Sequence, residues 1–340
     1  MVSPPGDYVH LLEREGFRWE RWEVGRQSFA PWIELMTLIR LGNLYQEEKP
    51  DLVHHFTIKP VLYGTLAAQL TNQPGVLNFI TGMGYVFLSR DLFAKFLRPF
   101  IHVFYKLIFR DERCRVIFEN KGDQEYFVAK RLIKANQAYL VPGVGVDVER
   151  YHPVPEPEGT PIIIFAARML WDKGVGVLVE AARGLRSIVP ARIVFVGKPD
   201  PGNPSSVDEG LLIQWSSEGL IEYWGWQVDM PRIYQQCHIV VLPTYGEGVP
   251  TSLLEAAACG RPIVTTDISG CRAIVKDGIN GFIVPLNDPQ AVANALAKLV
   301  LNKELRISMG MAGRQLILDL FSDQIVNQQI SAIYYTLRLM

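Results

Sequence analysis

Two carboxylates, Glu247 and Glu255, are separated by seven residues that include the run Gly248-Val249-Pro250-Thr251. A β-branched stretch, Ile239–Leu242, precedes them and a Leu/Ala-rich stretch, Thr251–Ala258, contains the second, so the segment reads as strand, tight loop and helix. Pro250 suits the first helical position, where a missing N–H costs nothing. The amides of Gly248, Val249 and Thr251 then point away from the helix start, with the positive end of its dipole behind them. That place favours a diphosphate or a sugar oxygen. Glu247 in the loop and Glu255 further along the helix can hold separate hydroxyl pairs of one extended ligand. An ordinary turn acid and an ordinary helix acid would look the same in isolation. The Gly-Val-Pro between the two carboxylates and the apolar flanks of Glu255 favour ligand binding.

Metal chemistry finds little support. No two aspartates stand two apart, so the D-x-D carboxylates that hold a divalent ion on sugar diphosphates are missing. The six histidines show no zinc spacing. No cofactor and no metal are therefore expected. Gly174-Val175-Gly176 and Gly143-Val144-Gly145 each stop short of a dinucleotide fingerprint, because Val179 and Val148 occupy the third glycine's place.

These residues need a scaffold, and the chain supplies one. At 340 residues it suggests two lobes. Strands are expected at Arg18–Val24, Asp51–Phe56, Gly75–Ile80, Arg115–Glu119 and Gln137–Val141, then at Ile162–Ala166, Ala191–Val196, Ile221–Tyr223, Ile239–Leu242, Pro262–Thr266 and Gly281–Val284. Helical periodicity fills Trp32–Glu47, Val61–Leu70, Leu92–Phe109, Asp123–Leu132, Gly176–Ser187, Thr251–Ala258, Pro289–Leu301 and Leu305–Asp319. Apolar strands alternating with helices mean parallel sheets covered on both faces. The Pro/Gly-rich run His152–Gly159 breaks the pattern and reads as a linker. Two Rossmann-like lobes facing a cleft follow, an α/β architecture with residues 1–152 on one side and 153–320 on the other. The apolar segment 321–340 is expected to pack back across both lobes.

Lys plus Arg (34) nearly balance Asp plus Glu (35), which argues against nucleic acid as a partner. Cys114, Cys237, Cys259 and Cys271 form no C-x-x-C pair, and the chain starts with neither a basic nor an apolar leader region. A reduced, cytoplasmic setting is expected. Between Val86 and Arg110, aromatic and aliphatic residues alternate with Arg90, Lys95, Arg98, Lys106 and Arg110, which rules out a membrane span. Two readings stand for residues 86–110: contact with an anionic bilayer surface, or a half-buried helix pair with snorkelling cations.

The segment from Tyr245 to Gly260 resembles the Glu-x7-Glu signature of retaining glycosyltransferase family four. Other segments agree in order: Arg168-Met169-Leu170-Trp171-Asp172-Lys173 is similar to that family's Arg-x4-Lys element, Val141–Asp147 to its interdomain entry, and Asp267–Arg272 and Asp277–Phe282 to its later loops. The resemblance runs from about residue 50 onward and implies the two-lobed GT-B fold. It implies that Arg168 and Lys173 grip the diphosphate of a nucleotide-sugar donor, where cations would also stabilise leaving-group charge. It further implies that Glu255 binds ribose hydroxyls, that Glu247 binds the transferred sugar, and that the amides after Gly248 contact sugar or β-phosphate. The family is metal-independent and retains configuration.

Thr57-Ile58-Lys59-Pro60 and Ile80–Tyr85 resemble a subgroup that adds sugars, as from UDP-hexose or UDP-HexNAc, to polyprenyl-diphosphate-linked acceptors in surface polysaccharide assembly. His54, His55, Lys59, Thr81 and Glu119 end strands on the acceptor side and are candidates for the cleft. Either histidine serves equally well as a hydrogen-bonded core residue. The family begins with a strand, a glycine-rich turn and a helix for which this sequence shows no counterpart after Met1, so a truncated N-terminal lobe is expected. The alternative to an active transferase is a nucleotide-sugar-binding protein with an impaired acceptor lobe.

Overall fold

The computed structural model describes residues 1–6, 8–23, 31–83, 87 and 92–338. Val24, Gly84, Tyr85, Val86 and Arg90 lie outside the described residues.

In the first half, β1 (Val2–Ser3), α1 (Val9–Arg14) and β2 (Glu20–Arg21) precede α2 (Pro31–Glu48). β1 and β2 pair in parallel as a separate two-stranded unit, so the strand expected at Arg18–Val24 is reduced to two paired residues. Then come β3 (Val53–Phe56), α3 (Ile58–Leu70), β4 (Val76–Ile80), α4 (Leu92–Ile108), β5 (Cys114–Phe118), α5 (Lys121–Ala129) and β6 (Ala138–Leu140). The last four strands form a parallel sheet in the order β3-β4-β5-β6. Every residue of β4 and β5 is buried, as a sheet covered on both faces requires.

The second half contains β7 (Ile162–Ala166), α6 (Val175–Leu185), β8 (Arg192–Val196), α7 (Glu209–Ser217), β9 (Glu222–Gly225), α8 (Met230–Gln235), β10 (Ile239–Leu242), α9 (Thr251–Ala258), β11 (Ile263–Thr266), α10 (Ser269–Ile274), β12 (Gly281–Val284), α11 (Pro289–Leu301), α12 (Lys303–Leu320) and α13 (Asp323–Arg338). Its six parallel strands run β12-β11-β10-β7-β8-β9. The order reverses between β7 and β10, so the loops leaving those two strands part and open a crevice at their carboxyl ends. α7, α8 and α10 had no counterpart in the sequence reading. The first two are short and start on side-chain caps from Asp208 and Asp229, a local signal of loops and helices alike.

Among the described residues, three apolar clusters hold the molecule. The largest is built around β7, β8, β10 and β11 and already includes Val146, Val148 and Tyr151. Arg314 donates to the carbonyls of Val148 and Tyr151, and Arg306 pairs with Glu156 in a nearly water-free setting, which pins the linker to the second lobe. A second cluster lies under α3, α4 and α5. In the third, Val326, Ile333 and Leu337 of α13 cover Leu77, Phe79 and Ile117 on the opposite face of the first sheet. The C-terminal helix thus crosses back to the first lobe.

Candidate active site

The crevice is floored by the loops after β7 and β10. After β7 the chain makes a single 3-10 turn, Trp171–Lys173, and leaves it through Gly174 at φ +81°. A side chain at Gly174 would be strained there and would also overlap the Pro243 carbonyl, so only glycine lets the two loops touch. The Tyr245 N–H and the Thr244 hydroxyl both donate to the Asp172 carbonyl, at 2.9 and 3.1 Å. This lacing carries Lys173 to Glu247, and the two form an ion pair with side chains only 17% and 15% exposed. A pair this dry is held by geometry as well as by charge.

Arg168 behaves differently. Its guanidinium pairs with Asp200 at 2.8 Å and is half exposed. Glu255 is largely buried on α9 and accepts the Tyr151 hydroxyl at 2.8 Å. Burial raises its pKa, opposed by that hydrogen bond. Pro250 is the N-cap of α9 and Thr251 the first helical residue, one position later than the sequence suggested. The first amides of the helix have no partner inside it.

The opposite wall comes from the first lobe. Glu119, 5% exposed at the end of β5, accepts the Val249 N–H at 2.8 Å. Burial, reinforced by Asp123 and Glu247 nearby, pushes its carboxyl up to about 7 against the pull of that amide. One of the three amides expected to face a ligand is therefore engaged across the cleft. A Cβ on Gly248 would overlap Glu119 Oε2 and lie 2.6 Å from the Thr81 carbonyl oxygen, and a Cβ on Gly270 would overlap the Gly248 carbonyl. Asn120 donates to that carbonyl at 3.3 Å and caps α5 through Asp123, while Ser269 bridges Asn120 and the Gly122 amide at 2.8 and 3.1 Å. Glycine at 248 is what permits the two lobes to meet this closely, and glycine at 270 lets α10 pack against the donor loop within the second lobe.

Thr81 thus reaches the cleft through its carbonyl. The structure places His54, His55 and Lys59 elsewhere. His54 Nδ1 meets the Tyr334 hydroxyl of α13 at 2.6 Å, and His55 sits between Tyr45 and Asn78 at 2.8 Å from each. Burial lowers both imidazoles to about 4. His55 is buried on the face of β3 turned to α3, whereas His54 is half-buried on the other face, where α13 meets it. Lys59 pairs with Glu34 of α2 at 3.0 Å. Tyr151 and Ser269 were missed by the sequence reading. Nothing local marks either of them, since their partners are distant in the chain.

A cavity of about 1020 Å³ opens between the lobes beside this junction, lined by Glu119, Asn120, Lys121, Arg272, Phe321 and Ile333 among others. Among the described residues no group of three His, Cys, Asp or Glu side chains converges as metal ligands. The four cysteines are unpaired and buried.

Known proteins share the fold and the family descriptions. Residues 1–120 match the family model described as glycosyl transferase 4-like, and residues 160–302 the one described as glycosyl transferases group 1. The chain is 27% identical, over 98% of its length and 90% of the relative's, to the N,N'-diacetylbacillosaminyl-diphospho-undecaprenol alpha-1,3-N-acetylgalactosaminyltransferase of Campylobacter jejuni. It is 24% identical, over 87% of its length and 81% of the relative's, to the UDP-Gal:alpha-D-GlcNAc-diphosphoundecaprenol alpha-1,3-galactosyltransferase of Escherichia coli. Among solved structures, Anabaena HepE in complex with UDP superposes with a TM-score of 0.79 at 19% identity, covering 97% of this chain and 90% of that one. A glycosyltransferase from Rickettsia africae gives 0.77 at 20% identity, covering 99% and 89%. The first lobe matches a transferase model of its own, so a protein that only binds nucleotide sugars is not favoured. Two family models in sequence order, over residues 1–120 and 160–302, on two parallel sheets facing a cleft, make this chain a glycosyltransferase of the GT-B fold, similar to the glycosyl transferase 4-like and group 1 families.

Proposed function

We propose that this enzyme moves a hexose or N-acetylhexosamine from a UDP donor to a polyprenyl-diphosphate-linked glycan in surface polysaccharide assembly, without a metal ion. The observation that carries this reading is the water-poor Lys173–Glu247 pair beside the start of α9. A diphosphate entering there meets Lys173, Arg168 and the helix amides, and these offset its charge. Glu247, released from Lys173, binds hydroxyls of the transferred sugar, and Glu255 binds the ribose. The acceptor oxygen bonds to the anomeric carbon on the face from which the UDP oxygen leaves. Its proton passes to the departing β-phosphate. The names of the two relatives support the polyprenyl-diphosphate acceptor, and the UDP in the HepE complex supports the donor.

We divide the work as residues 1–152 for the acceptor, 153–320 for the donor, and 321–340 as the helix joining them. The place of action is the cytoplasmic face of the membrane that carries the acceptor, reached peripherally. Among the described residues no helix is long and apolar enough to cross a membrane. The test is release of nucleotide from a panel of nucleotide sugars with a polyprenyl-diphosphate sugar present, and Glu255→Ala as control. Release equal in the variant, or from no donor at all, rejects the reading.

A further inference from the structure

On α4, Phe96, Phe100, Val103 and Leu107 are each more than half exposed. Their spacing of four, three and four residues puts them in one stripe along the helix. The other side of the helix is packed inward: Tyr105 and Ile108 are almost fully buried in the cluster beneath α3 and α5. The stripe is therefore not a core face left over by irregular packing. The rings of Phe96 and Phe100 lie 5.4 Å apart and make a contiguous apolar surface.

The charges beside it have one sign. Lys95, Arg98, Lys106 and Arg110 fall between residues 95 and 110, a stretch with no Asp or Glu. Lys95, Lys106 and Arg110 are exposed with the stripe. α2, which packs on α3 as α4 does, also exposes Trp32, Ile33 and Met36 near its start. Bare aromatics on a soluble surface mark a partner. A purely apolar partner would leave the cations unanswered, and a purely acidic one would leave the rings in water.

We propose that α4 is a membrane-docking helix that lies in the interface of an anionic bilayer, with Phe96, Phe100, Val103 and Leu107 among the acyl chains and Lys95, Lys106 and Arg110 at the lipid phosphates. The choice of a bilayer over a protein partner rests on the reading that the acceptor is membrane-borne. Docking here sets the acceptor lobe against the surface from which a lipid-linked sugar must rise. The arrangement needs two signals together, since neither apolar insertion nor charge alone holds a protein firmly.

The experiment is co-sedimentation of the full chain with vesicles of phosphatidylcholine alone, and with vesicles that also contain phosphatidylglycerol. Neither contains a polyprenyl lipid. The chain is expected on the anionic vesicles only, with binding that weakens as salt rises. Lys106→Gln with Arg110→Gln should lower partitioning about 25-fold, at about fivefold per cation. Phe96→Ser with Phe100→Ser should lower it by more than about tenfold. Both variants should keep the wild-type thermal shift on adding UDP, which reports an intact second lobe. Equal binding to neutral vesicles, or undiminished binding by the Phe variant, overturns the proposal. So does a self-associated species that the Phe substitutions disperse without any vesicle binding. The two readings fail separately. Vesicle binding without transfer to a detergent-dispersed polyprenyl-diphosphate sugar removes the acceptor assignment, whereas transfer without vesicle binding removes the docking helix.

Discussion

The Glu119 carboxylate of the first lobe accepts the Val249 N–H of the second at 2.8 Å, directly over Gly248. Both partners belong to the walls of the same cleft, so this bond reports how the lobes meet.

Its protonation should make stability depend on pH. Burial raises Glu119 from 4.5 to about 7 and Asp123 from 3.8 to about 6. The folded chain thus holds protons that the unfolded chain releases at lower pH. Stabilisation is fully present below about pH 4, declines as pH rises, and is gone above about pH 7. The Glu119 part is at most about 3 kcal/mol. Melting temperature should fall with pH across that window in the wild type and fall less in Glu119→Gln. Parallel profiles would contradict the assignment.

Gly248→Ala tests the close approach. The added methyl must push apart the backbone of Thr81 and the carboxylate of Glu119. A shift of about 1 Å at reacting groups costs on the order of a hundredfold in rate. We expect such a fall in kcat/KM while circular dichroism remains that of the wild type. Retained activity would show that the lobes need not meet here.

Lys173 and Arg168 should separate clearly. Lys173→Ala strands Glu247 in a nearly dry place and removes the inner cation, so we expect about 2 kcal/mol of lost stability and a rate loss of about 100-fold or more. Arg168→Ala removes a half-exposed pair and should destabilise by well under about 1 kcal/mol. Initial rates and denaturant midpoints compare the two directly, and equal effects would place Arg168 deeper than the structure does.

Tyr151→Phe removes a hydrogen bond to the largely buried Glu255 and should cost about 2 kcal/mol of stability. UDP affinity should weaken in parallel, read by titration calorimetry, because Glu255 loses the group that aims it. A variant that is destabilised but binds UDP normally would confine Tyr151 to the fold.

The donor loop was legible because its parts are neighbours in the chain: strand, loop and helix follow one another from Ile239 to Ala258. The junction opposite was not, since Val249 meets Glu119 across 130 positions and Ser269 meets Asn120 across 149. His54 and His55 show the same limit. Adjacent residues on a strand face opposite ways, and each finds a tyrosine, Tyr334 on one side and Tyr45 on the other. Only knowing that α13 returns to cover β4 and β5 would have shown that Tyr334 meets His54. Lys59 fits the pattern too, since its partner Glu34 lies on a helix that comes earlier in the chain.

The placement of α13 has a consequence for biosynthesis. Leu77, Phe79 and Ile117 are made before the second lobe, yet the side chains that shield them, Val326, Ile333 and Leu337, are made only after it. While the ribosome is still working, one side of the first sheet stays oily and uncovered, a surface for chaperones or for misassociation. Nascent chains arrested before Asp323 should remain open to protease in the first sheet, and the lag should vanish once the tail emerges.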